Sequence, residues 1–93
     1  MIQSFADKRL EALFYDGTGY RPWRAFEAAA KRKLDILDAA TTLDDLRSPP
    51  GNRLERLRGD RAGQYSIRIN DQWRLCFRWT AQGPEQVDIV DYH

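Results

Sequence analysis

Apolar residues recur with the period of a helix in the first half of the chain and with the period of a strand in the second. Trp23, Phe26, Ala30, Leu34 and Leu37 follow one another at spacings of three or four, which makes one helical stripe facing a core. Pro22 suits the first turn of that helix, and Glu27, Lys31, Arg32, Lys33, Asp35 and Asp38 take its wet side. Upstream, Asp7 predicts the N-cap of a helix running to Tyr15, stopped by Asp16-Gly17-Thr18-Gly19. Residues 1–5 read as a short edge strand, and residues 42–46 as a helical turn capped by Thr41 or Thr42. Ser48-Pro49-Pro50-Gly51-Asn52 then interrupts all regular structure.

Beyond this break Tyr65, Ile67 and Ile69 alternate with polar residues, as do Trp73, Leu75, Phe77 and Trp79, which is the signature of half-buried antiparallel strands. Their apolar rows align only across a loop with an odd number of residues, so Asn70-Asp71-Gln72 predicts a three-residue hairpin loop. Ile69 then faces Trp73, Ile67 faces Leu75 and Tyr65 faces Phe77, while Arg68 faces Arg74 on the opposite side. Ala81-Gln82-Gly83-Pro84 is a second turn before a last strand over residues 86–91, with Val87, Ile89 and Val90 apolar. Residues 53–58 read as a further strand in which Leu54 and Leu57 do not alternate, which leaves its facing open and allows a bulge. The fold class is α+β, a two-layer domain spanning residues 1–93, with N-terminal helices on one face of a small antiparallel sheet and the other face open.

Fifteen basic and fourteen acidic residues leave a formal net charge of +1, yet the balance is local. Residues 48–79 hold seven arginines, Arg53, Arg56, Arg58, Arg61, Arg68, Arg74 and Arg78, against three acids. The guanidinium fork suits phosphate, and Arg68 facing Arg74 is unfavourable without an anion between them. The alternatives are a solvated, Arg-biased strand surface and a surface for an anionic ligand such as RNA. A lone cysteine, Cys76, and a lone histidine, His93, exclude a disulfide within the chain and a Cys/His metal site. Cys76 sits mid-strand without an activating partner and reads as structural, and Gly59-Asp60-Arg61-Ala62-Gly63 reads as a tight turn. No apolar run reaches membrane-spanning length, and the first residues lack a targeting pattern, so the chain reads as cytoplasmic. Asp91, Tyr92 and His93, with Glu55 and the arginines, contain the parts that phosphodiester cleavage by an RNA 2′-hydroxyl needs: base, acid and positive donors.

Pro49-Pro50-Gly51-Asn52-Arg53-Leu54-Glu55, Leu57-Arg58-Gly59-Asp60-Arg61, Gln64 through Arg74, and the final Asp91-Tyr92-His93 strongly resemble the HigB-type killer proteins of the RelE toxin superfamily. The resemblance covers the whole chain. It implies the RelE-like fold and a type II toxin: a ribosome-dependent endoribonuclease that cuts translated mRNA on the 70S ribosome, without metal or cofactor. It also implies a helix-turn-helix antitoxin of the HigA type, bound in a hetero-oligomeric complex. Carried over by position, Asp91, Tyr92 and His93 match the family's catalytic residues, with His93 a proton-transfer group and Asp91 a partner or base. Arg74 is expected to face the scissile phosphate, and Arg58 takes a position that some members fill with lysine. Glu55 stands where some members have a catalytic histidine, so either Glu55 is the general base, or Asp91 is and Glu55 orients arginines. Arg53, Arg56, Arg58, Arg61, Arg68 and Arg78 are the expected RNA-binding set. The alternative is a non-catalytic module of this fold that binds an antitoxin and RNA or the ribosome.

Overall fold

The computed structural model describes residues 1–91; the expectations for Tyr92 and His93 lie outside the described residues. Helix α1 (Lys8–Asp16) begins where the sequence places it, with the Asp7 carboxylate accepting from the Arg9 amide at 2.8 Å. It ends where Gly17 takes the left-handed conformation (φ 69°) that a residue with a Cβ resists. The single long helix expected from Pro22 is instead two pieces, a 3₁₀ turn over Arg21–Phe26 and helix α2 (Glu27–Ala39). The apolar stripe survives the break: Trp23, Ala30, Leu34 and Leu37 are buried and Phe26 packs against them. Each enclosed leucine contributes about 1.5–3 kcal/mol relative to exposure.

Four antiparallel strands follow, β1 (Glu55–Arg56), β2 (Tyr65–Arg68), β3 (Trp73–Thr80) and β4 (Gly83–Asp91), in spatial order β1-β2-β3-β4. The β2–β3 register is the expected one, Tyr65 with Phe77, Ile67 with Leu75 and Arg68 with Arg74. Asn70 sets the three-residue loop by accepting from the amides of Gln72 and Trp73, both at 2.8 Å. The helices cover the sheet face that carries Ile67, Leu75, Phe77, Val87 and Ile89, and these residues share one apolar core with α1 and α2.

Four expectations need correction. Residues 1–5 do not form a strand; they run beside β4 through one parallel bridge, Phe5 with Val87, made by the Ala6 amide donating to the Val87 carbonyl and the Val87 amide donating to the Ser4 carbonyl. Strand β1 is two residues long rather than six. The irregularity allowed for beside Leu54 and Leu57 is found instead between β3 and β4, where Gln86 (φ 52°) is the extra residue. That bulge lets Pro84, Val87 and Ile89 all face the core while Val90 turns to the opposite face. Finally, the face opposite the helices is not open, because Ser66, Arg74 and Cys76 on it are buried.

Candidate active site

The register lays two rows of side chains across the sheet face opposite the helices. One row runs Glu55, Ser66, Cys76, Asp88; the next runs Arg68, Arg74, Val90. The segment leading through β1 into the 3₁₀ turn Gly59–Arg61 rises beside them. Together they enclose a cleft of about 550 Å³, lined by Glu55, Arg56, Leu57, Arg58, Asp60, Arg61, Cys76 and Val90. Leu57, Cys76 and Val90 make an apolar floor, and three arginines stand around it.

Arg74 does not itself line the cleft; it lies next to Glu55, which does, with only 5% of its surface exposed. Its Nε donates to the Ser66 hydroxyl at 2.8 Å and its Nη2 to the Arg53 carbonyl at 2.5 Å, while Nη1 stands 3.9 Å from the Glu55 carboxylate. The guanidinium expected on a wet surface is therefore enclosed, and its burial is tolerated because acceptors surround it. The predicted conflict between Arg68 and Arg74 is resolved within the chain: Arg68 turns to an ion pair with Asp71, so their pairing is no signal for a bound anion. Arg61 reaches Asp88 at 3.6 Å and Gln64 at 3.0 Å. Arg56 and Arg58 are exposed at the cleft, Arg78 is exposed beside the Gly63 turn, and Arg53 supplies its main-chain carbonyl.

Asp91 pairs across the sheet with Trp73, and its carboxylate accepts from Gln72 Nε2 at 3.0 Å. Glu55, by contrast, is half exposed at the cleft. Burial pushes the Cys76 thiol upward; Arg61 and Arg74 pull the other way and Asp88 adds to the rise. Cys76 is thus a neutral part of the floor at physiological pH. Among the described residues no group of three or more His, Cys, Asp or Glu side chains is placed to hold a metal ion.

Reasoning from the sequence missed Ser66 and Asn52. Both are polar and fully buried, and Asn52 ties the break to α2: its amide donates to the carbonyls of Leu46 and Ser48 and its oxygen accepts from Lys33 Nζ at 2.6 Å. Burial, with Arg32 and Arg68 nearby, lowers the Lys33 pKa. The one signal for Asn52 is its place in the Pro-Pro-Gly-Asn run, and for Ser66 its place in the Gln64-to-Arg74 run; by period alone Ser66 alternates like any outward strand residue.

The sequence profile of the RelE-like toxin of type II toxin-antitoxin system HigB matches residues 3–93. The chain belongs to the HigB-like toxin family. Toxin HigB-1 of Vibrio cholerae is 49% identical over 81 residues, covering 85% of this chain and 84% of the relative. Endoribonuclease HigB of Proteus vulgaris is 33% identical over 94 residues, covering both chains fully. Two solved structures share the fold at low sequence identity. The YoeB-YefM complex from Staphylococcus aureus has a TM-score of 0.59 at 18% identity, covering all of this chain and 95% of that one. The YoeB/ParE toxin from Agrobacterium tumefaciens has a TM-score of 0.53 at 21% identity, covering 99% and 98%. As a HigB-like toxin of a type II system, the protein is the toxin half of a pair whose other half is an antitoxin. No helix among the described residues is long and apolar enough to cross a membrane.

Proposed function

We propose that this HigB-like toxin is an mRNA endoribonuclease whose cleavage site is the cleft between residues 55–61 and strands β3 and β4. The observation that carries the reading is Glu55 on the wall of a cleft that Arg56, Arg58 and Arg61 also line, with the enclosed Arg74 3.9 Å from its carboxylate; the full-length similarity to an endoribonuclease supports it. The reaction is attack of a 2′-hydroxyl on the adjacent phosphorus. The O2′–P bond forms, the P–O5′ bond breaks, and the products are a 2′,3′-cyclic phosphate and a 5′-hydroxyl. Glu55 takes the 2′-hydroxyl proton and His93 gives one to the departing O5′. Arg74 and the rim arginines stabilise the charge that develops on the phosphorane. Tyr92 contacts the phosphate, and Asp91, held by Gln72 at the end of β4, orients the two residues after it. Arg53, Arg68 and Arg78 extend the basic surface along which the flanking RNA runs.

The same reading makes the ribosome part of the working enzyme, presenting translated mRNA to the cleft. It makes the antitoxin a helix-turn-helix protein of the HigA type, and the cytoplasm the place of action. The test is to map mRNA 5′ ends in a translating extract, with and without ribosomes, for the wild-type chain and for His93→Gln. New ends that require both ribosomes and His93, with a rate loss of about 10²- to 10⁴-fold in the variant, are the expected outcome. A folded, antitoxin-free wild-type protein that makes no new ends would leave only a binding module.

A further inference from the structure

We infer that Ser66 is a positioning residue of the cleavage site: its buried hydroxyl, with the Arg53 carbonyl, sets the direction in which Arg74 presents its guanidinium to Glu55 and to a phosphate in the cleft. This deepens the endoribonuclease reading and rests on it. Ser66 stands directly between Glu55 on β1 and Cys76 on β3, and Arg74 is its diagonal neighbour on the same face. The arginine side chain therefore crosses over Ser66 to reach Glu55, and only a small residue leaves that path clear. Ser66 is fully enclosed, so no water competes for its hydroxyl.

A guanidinium is planar, and its five N–H bonds have fixed directions. Holding Nε on Ser66 Oγ (2.8 Å) and Nη2 on the Arg53 carbonyl (2.5 Å) defines that plane, and with it the position of Nη1 near Glu55 Oε1 (3.9 Å). The Ser66 carbonyl, 3.4 Å from Nη2, closes the cradle. Arg53 contributes through its backbone: it takes the left-handed conformation (φ 46°) at the end of the 3₁₀ turn Pro50–Asn52. A donor held in place before reaction stabilises the phosphorane without reorganising at the moment it forms. Of these three acceptors, the Ser66 hydroxyl is the one that a side-chain substitution removes.

Ser66→Ala keeps the path open and deletes the anchor. In single-turnover cleavage on mRNA-programmed ribosomes, we expect its saturating rate to fall by about 10- to 100-fold with half-saturation nearly unchanged, the scale of a small misplacement of reacting groups. In an Arg74→Lys background, which has no Nε, the same substitution is expected to change the rate less than about twofold, because coupled residues do not act additively. An independent readout is exchange of the Arg74 Nε proton in arginine ¹⁵N–¹H spectra of the full chain: slow in wild type and Ser66→Thr, fast in Ser66→Ala. Antitoxin binding and thermal unfolding establish that each variant is folded. A folded Ser66→Ala protein that cleaves at the wild-type rate would overturn the inference, as would an equal loss in the Arg74→Lys background. Unchanged Nε exchange would also overturn it, even in a working nuclease. Were the wild-type chain itself inactive, the nuclease reading would fall while the exchange contrast still reported on the anchor.

Discussion

Glu55 has 46% of its side chain exposed and Arg74 has 7%, and in the proposed reaction this difference divides the work between them. A carboxylate open to the cleft exchanges protons with substrate and water, whereas an enclosed guanidinium is held still and acts through its charge. Glu55→Gln is accordingly expected to lower cleavage by about 10²- to 10⁴-fold. Asp91→Asn is expected to lose less; the larger loss in Asp91→Asn would assign the base to Asp91. The sequence singled out Arg74 and Glu55 through the runs they belong to, and the structure sets them 3.9 Å apart. The enclosure of Arg74 was not legible there, because it depends on residue 53, which lies 21 positions away. Ser66 lies inside the Gln64-to-Arg74 run that carries the family resemblance, yet nothing in that run reveals the guanidinium laid over it.

Elements were legible wherever a local rule decides them. Asp7 caps α1 and Gly17 ends it, and Thr42 caps the turn Leu43–Arg47 by accepting from the Asp45 amide while the Asp45 carboxylate accepts from the amide of Thr42. The amides of Thr41 and Thr42, helped by the threonine hydroxyls, hold the Asp45 carboxyl down at about 2. A folded pKa below the unfolded one means that ionised Asp45 favours the folded state above about pH 4, and that this contribution vanishes as pH falls through about 2. Asp45→Asn should therefore unfold at lower denaturant than wild type at pH 7, with the two midpoints converging as the pH is lowered from 4 to 2. A gap that persists at the lowest pH would assign the difference to something other than the charge. The break at Phe26, the bulge at Gln86 and the shortness of β1 escaped the period rules, since each follows from what packs against the element.

Over the whole molecule one apolar core joins the two helices to the sheet, and the sheet's other face is divided between a buried polar anchor and the cleft. Cys76 reports on that division, being 2% exposed at the cleft floor with its thiol pushed up by burial. Because the thiolate is the reactive form, alkylation of Cys76 at neutral pH is expected to be slower by roughly an order of magnitude or more in the native chain than in the unfolded chain. Equal rates would mean that the segment over residues 55–61 opens freely above the floor. Membership of the HigB-like toxin family was legible because its motifs are contiguous runs in the sequence, and the profile match over residues 3–93 agrees.

By itself the sequence determined the helical and strand periods, both ends of α1, the Ile69–Trp73 hairpin with its register, and the family. All of these rest on spacings within a few residues or within one hairpin, where chain geometry leaves little choice. Tertiary structure alone decided that Arg74 is enclosed and that Pro84 and Val87 face the same way across a bulge. It also decided that Asn52 is a buried joint reaching Lys33 on α2. The physical reason is common to them: whether a polar group meets water or a partner depends on segments far away in sequence, and the desolvation of a charge or amide is settled only when those segments close over it.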